Sequence, residues 1–107
     1  MDQRVVVTGV GIVSPLGVGT EETWKACVAG TPGVSPITKF DCEGFSVQIA
    51  GEVKGFDPLD YASKKDIKKM DYHIQYALAA STFALDAAGL NGADGPYSKD
   101  RMGVLIG

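Results

Sequence analysis

Arg4-Val5-Val6-Val7-Thr8-Gly9-Val10-Gly11 is the stretch on which the fold turns. Three consecutive β-branched valines without polar alternation suit a strand buried on both faces, and the glycine-containing tail suits a flexible exit. Residues 4–7 are therefore expected to form a central, parallel strand. Met102-Gly103-Val104-Leu105-Ile106 reads the same way, as a second buried strand that runs up to Gly107. Between them the chain alternates helix and turn signals. Ser14-Pro15-Leu16-Gly17-Val18-Gly19 does not continue regular structure. Thr20 before Glu21-Glu22 then reads as an N-cap with acids at the positive end of a helix over 21–29. Its apolar face would be Trp24, Cys27 and Val28, with Gly30 and Pro32 stopping it.

Residues 31–55 are rich in glycine and proline. Short β-capable pieces at 45–49 and 52–54, separated by Ala50-Gly51, predict a small hairpin or irregular excursion on the domain edge, at about 31–56. Asp57-Pro58 predicts a short helical turn through Tyr61. The strongest periodic signal spans 65–88, where Ile67, Met70, Ile74, Leu78, Ser81, Leu85 and Ala88 recur at three- and four-residue steps. That predicts one long amphipathic helix, capped by Ser63 and stopped by Gly89. Its second half is rich in alanine, which lets a neighbouring element approach closely. A polar loop over 91–100 leads to the final strand. Strand, helix, hairpin, long helix and strand make half of an α/β domain, so residues 1–107 are expected to be the N-terminal segment of something longer.

The chain's 107 residues suffice for one core at most. With 45% hydrophobic and 21% charged residues, the composition is that of a folded globular protein. Ten Lys and Arg against 13 Asp and Glu give a net charge of -3, the wrong sign for a domain that neutralises nucleic-acid phosphates. Met1-Asp2-Gln3-Arg4 does not open a signal peptide, and Thr8, Gly9 and Gly11 break the apolar run that a membrane span would need. Cys27 and Cys42, with His73 as the only histidine, support neither a zinc site nor a disulfide framework, so reduced thiols in a cytoplasmic protein are the simpler expectation.

Gly9-Val10-Gly11-Ile12-Val13-Ser14 begins like a dinucleotide fingerprint, but Ser14 replaces the third glycine and Pro15 follows where a helix should open. A plain strand exit fits better, and no cofactor or metal is expected. Cys27 lies on the expected apolar helix face as a small buried hydrophobe. Cys42 stands between Asp41 and Glu43, the wrong setting for a thiolate nucleophile. His73 has no nucleophile or ligand beside it in sequence, and reads as a surface or boundary residue. No catalytic constellation emerges. Lys64, Lys65, Lys68 and Lys69 place four positive charges within six residues of an acidic chain. Lys65, Lys68 and Lys69 share one surface at helical spacing. From composition this is a solvated helical face, with docking of an acidic partner as the alternative.

The run Arg4-Val5-Val6-Val7-Thr8-Gly9-Val10-Gly11-Ile12-Val13-Ser14-Pro15-Leu16-Gly17 resembles the opening of the β-ketoacyl-acyl carrier protein synthases, specifically the bacterial type II condensing enzymes of fatty-acid elongation (synthase II). The resemblance continues through Thr23-Trp24-Lys25, Phe40-Asp41, Ala50-Gly51-Glu52-Val53, Lys68-Lys69-Met70-Asp71, Ile74-Gln75-Tyr76-Ala77, Ala87-Ala88-Gly89-Leu90 and Arg101-Met102-Gly103, covering essentially the whole chain. It implies the N-terminal part of a thiolase-like fold, layered α/β/α/β/α when complete. It also implies a cytoplasmic homodimer and a decarboxylating Claisen condensation between an acyl thioester and malonyl-carrier protein. The active cysteine, two histidines and oxyanion amides of such enzymes come later in the chain, and Cys27, Cys42 and His73 match none of them. Lys65, Lys68 and Lys69 fall where the family docks its acidic acyl carrier protein, acyl- or malonyl-loaded. The alternatives are a non-catalytic carrier-binding module and a polyketide chain-length partner subunit.

Overall fold

The computed structural model describes residues 2–91 and 97–107. The chain forms two compact units, one of residues 12–57 and one that joins the residues up to 11 with those from 58 onward.

In the 12–57 unit, β1 (Val13–Ser14) and β2 (Gly17–Val18) form a tight antiparallel hairpin with Val13 opposite Val18. The Pro15-Leu16 corner, expected to be irregular, is thus the hairpin turn. Ser14 and Thr23 hydroxyls lie 2.9 Å apart, and the Thr23 hydroxyl donates to the Gly17 carbonyl, tying the hairpin to α1 (Thr20–Val28). The N-cap of α1 is Gly19 at φ 114°, a conformation closed to threonine, so Thr20 is the first helical residue rather than the cap. The expected inner face of α1 is also displaced. Trp24, Cys27 and Val28 are exposed, and the half-buried positions are Thr20, Thr23 and Ala26. The short hydroxyl and methyl groups fit the close approach of the hairpin, where an indole would not.

β3 (Val34–Pro36) pairs antiparallel with β4 (Ile49–Gly51), and the Ile37 amide extends the ladder by donating to the Gln48 carbonyl at 2.9 Å. A hairpin excursion is present, but its strands are not those expected at 45–49 and 52–54. The turn in which the Phe45 amide donates to the Cys42 carbonyl bends the chain, and Phe45 and Val47 stay exposed while Phe40 and Phe45 meet edge-to-face at 6.0 Å. Glu52, just past β4, is buried. Its carboxylate accepts from the Thr38 hydroxyl at 2.8 Å and from the Thr38 and Lys39 amides, and these bonds, led by the Thr38 hydroxyl, hold its carboxyl below the usual range against the opposing effect of burial.

In the other unit a 3-10 turn (Pro58–Asp60) leads to α2 (Lys64–Ile67) and α3 (Tyr72–Ala88). The long helix expected over 65–88 is therefore broken at 68–71. Four lysines within six residues repel along one helical surface, and Asp71 offers a new N-cap position with extended backbone (ψ 165°). Ser63 caps α2 and Gly89 ends α3 in the left-handed conformation (φ 70°), both as expected. Tyr61 packs edge-to-face on Phe83 at 5.6 Å, and burial, aided by Asp60, raises its hydroxyl above the ordinary tyrosine range.

The alanine-rich face of α3 receives the N-terminal segment. A methyl group added at Gly9 would strike the Ala84 carbonyl and lie 2.8 Å from the Ala88 nitrogen, and one at Gly11 would strike the Ala80 carbonyl and lie 2.6 Å from the Ala84 nitrogen. Glycines two apart on an extended chain are spaced about 6.6 Å, close to the roughly 6 Å between residues four apart on a helix. Gly9 and Gly11 can therefore sit against successive turns of α3, which accounts for them without any phosphate ligand. The enclosed stripe of α3 is turned by about one residue from the expected one. Gln75 and Ala79 are buried, Ala79 completely, while Ile74 and Leu78 are partly exposed.

Residues 4–7 and 102–106, expected to be buried strands, carry no strand pairing here. Val5 is 91% and Leu105 97% exposed. A strand acquires its ladder only from neighbours, and among the described residues none pairs with either stretch. Of the expected polar loop, residues 92–96 lie outside the described residues, and Lys99–Arg101 form a 3-10 turn.

Candidate functional site

The lysine turn is built by local bonds. The Ser63 hydroxyl accepts from the Asp66 amide at 3.2 Å and donates to the Asp66 carboxylate at 2.6 Å, a capping arrangement that starts α2 and occupies its one acid. The chain then tightens, with Lys69 N–H donating to the Asp66 carbonyl at 2.9 Å and Met70 N–H to that of Ile67 at 3.1 Å. Lys65, Lys68 and Lys69 consequently stay on one right-handed turn although the long helix is interrupted. These three and Lys64 are exposed, and among the described residues none of them is in an ion pair; on α1, by contrast, Lys25 pairs with Glu21 at 3.3 Å. Unpaired ammonium groups on a capped turn make a positive patch in a chain of net charge -3. Such a patch attracts and orients an acidic surface while leaving it free to depart.

Behind the turn lies Gln75, which the sequence reading missed. Its side-chain amide donates to the Met70 carbonyl at 3.2 Å, where the turn ends. The available signal was a polar amide interrupting a mostly apolar helix.

The other candidates stay apart from chemistry. Cys27 is exposed, not buried as expected, and Cys42 is half-buried; both are free thiols. His73 is exposed, as expected, on the rim of an apolar groove of about 460 Å³ lined also by Ile74, Ala77, Leu78, Ser81, Val104 and Ile106. Among the described residues no three His, Cys, Asp or Glu side chains could hold a metal ion, and no helix is long and apolar enough to cross a membrane.

Residues 2–107 match the family model of the β-ketoacyl synthase N-terminal domain. The chain belongs to the β-ketoacyl synthase family. Among curated relatives of this β-ketoacyl synthase segment, 3-oxoacyl-[acyl-carrier-protein] synthase 2 of Vibrio cholerae is 49% identical over 98% of the chain. The proteins of the same name from Coxiella burnetii and Staphylococcus aureus strain N315 are 44% and 41% identical over 98% and 99% of it. The chain spans 25% of the length of each. Among solved structures, the ishigamide ketosynthase/chain length factor superposes with a TM-score of 0.72 at 42% identity, over 80% of this chain and 21% of that one. The α/β, thiolase-like class implied by the sequence is thus the class of the segment, as an N-terminal part of that fold.

Proposed function

We propose that this segment serves in a full-length 3-oxoacyl-[acyl carrier protein] synthase, an acyltransferase that elongates fatty acids. The observation that carries this reading is the match of essentially the whole chain to relatives bearing that name at 41–49% identity. In the reaction, an enzyme thiolate displaces the carrier thiol from an acyl thioester. Malonyl-carrier protein then loses carbon dioxide, and the resulting carbanion attacks the acyl-enzyme carbonyl, forming the new carbon–carbon bond and releasing the enzyme thiol. The nucleophile, the groups that polarise the malonyl thioester and the oxyanion donors belong to residues outside this segment. The segment's own part is recognition: Lys65, Lys68 and Lys69 receive the acidic acyl carrier protein. Residues 1–107 form the N-terminal segment of the first thiolase-like half, with about 31–56 as an edge excursion. The reading includes a cytoplasmic homodimer, to be checked by light scattering on the full-length protein.

The test is charge reversal, Lys65→Glu, Lys68→Glu and Lys69→Glu together, in the full-length enzyme. Each exposed pair contributes about 0.2–1 kcal/mol, so the triple variant should raise KM for carrier-bound substrate about tenfold or more and leave KM for a small acyl thioester unchanged. Equal effects on both substrates would remove the docking role. A polyketide chain-length partner is the second reading, favoured by the name of the ishigamide structure. It would lack the active cysteine downstream, and alkylation by an active-site thiol reagent separates the two.

A further inference from the structure

We infer that Gln75 is a positioning residue for the lysine turn: its side-chain amide fixes the end of that turn against α3, and thereby the placement of Lys65, Lys68 and Lys69. The inference rests on the carrier-docking reading above and names the residue through which the fold controls that surface.

The break between α2 and α3 changes which groups bond the Met70 carbonyl. In a continuous helix the Met70 carbonyl would accept from the Ile74 amide. Here the Ile74 and Gln75 amides both donate to the Asp71 carbonyl, at 3.1 and 3.2 Å, so Met70 loses its helical donor. The Gln75 side-chain nitrogen takes that place at 3.2 Å. Because a carbonyl only accepts, the nitrogen and not the oxygen of the amide must face Met70. Gln75 is only 7% exposed, and its Oε1 is buried with no partner among the described residues. A glutamine that served only to fill space would be a poor choice, since an apolar side chain of equal length would remove the orphaned acceptor. What glutamine supplies and methionine does not is the bond to Met70. That bond closes the ladder running from Ser63 through Asp66, Ile67, Lys69 and Met70, along which the three lysines are mounted. Without it, the Met70 carbonyl loses its donor at the α3 end of the stretch 68–71, and the lysines sample orientations that a docking surface must then reorder at an entropic cost.

The experiment uses the full-length enzyme with Gln75→Met, which keeps side-chain length and removes both the donor and the orphaned acceptor, and Gln75→Glu, which keeps the shape and replaces the donor with a carboxylate. Both variants should raise KM for carrier-bound substrate about fivefold, leaving kcat and the small-thioester KM within about twofold of wild type. In the Gln75→Glu variant the penalty should shrink as pH is lowered, because the protonated carboxyl regains one donor. In the background of the triple lysine reversal, Gln75→Met should add nothing, since it acts only through those lysines. A carrier KM unchanged in both variants, or one that rises together with the small-thioester KM, overturns the inference. Should Gln75→Met fail to fold, Gln75→Glu decides alone by the same two constants and its pH dependence. If the lysine reversal itself leaves carrier KM unchanged, the docking reading falls; if the reversal acts and Gln75 does not, only the inference about Gln75 falls.

Discussion

The 12–57 segment and the extended stretches at 4–7 and 102–106 carry similar β-forming side chains, yet they behave oppositely. In the first, strands of two or three residues containing Gly17, Pro36 and Gly51 form hydrogen-bonded pairs. In the second, Val5-Val6-Val7 and Val104-Leu105-Ile106, far better strand sequences by composition, remain unpaired and exposed. The difference lies in where the partner is. A hairpin partner sits a few residues away and the turn chemistry delivers it; a parallel partner must come from elsewhere in the sequence. Under the proposed function those partners belong to the rest of the full-length protein, where the apolar side chains of 4–7 and 102–106 would be covered.

Hydrogen exchange offers the most direct way to break this contrast. In the full-length protein the amides of 4–7 and 103–106 should be protected about a thousandfold or more, whereas in the 107-residue polypeptide they should exchange freely while those of β3 and β4 are slowed. Free exchange in both would mean that these stretches are not strands. The next effect is expected where the N-terminal segment meets α3. Gly11→Ala places a methyl group on helix backbone and should cost about 3 kcal/mol or more, read from denaturant unfolding of the full-length protein. A loss below 1 kcal/mol would show that the close approach relaxes easily.

These two regions also mark what was legible in the sequence. Helix ends signalled by Ser63, Gly30 and Gly89 were readable because capping is local chemistry. The service of Gly9 and Gly11 to the alanines of α3 was half readable: alanine announced a close neighbour, but not which one. The break at 68–71 was hidden because Ile67, Met70 and Ile74 keep helical spacing across it. The inner face of α1 was misread because Trp24 is the largest apolar side chain there, whereas the hairpin selects for the small Thr23 hydroxyl. Of the candidate site, the lysines were visible as a charge cluster, but their support was not, since the bond from Gln75 to Met70 exists only because the helix breaks.

Two smaller effects sharpen the contrast between locally and remotely supported structure. Ser63→Ala removes the cap of α2 and should cost about 1 kcal/mol in helix stability, raising carrier KM a few-fold with kcat unchanged. No change in carrier KM would mean that the turn keeps its shape without the cap. In the 12–57 unit, Glu52 acts as a local clamp. Its carboxyl titrates below the ordinary 4.5 in the folded protein, so its contribution is present above that pH and is lost as pH falls through the lower folded value. The Thr38 and Lys39 amides should therefore lose exchange protection only as the pH falls beneath the ordinary carboxylate range, while the Ile37 amide, bonded to the Gln48 carbonyl, keeps its own. Simultaneous loss at all three would assign the transition to the whole hairpin instead.

The measurement that bears most directly on the central claim is a condensation assay of the full-length protein with acyl- and malonyl-loaded carrier protein, following carbon dioxide and the carrier-bound product together. One carbon dioxide released for each 3-oxoacyl-carrier protein formed is the predicted result. Carbon dioxide without a 3-oxoacyl product, or carrier binding with neither, would contradict it.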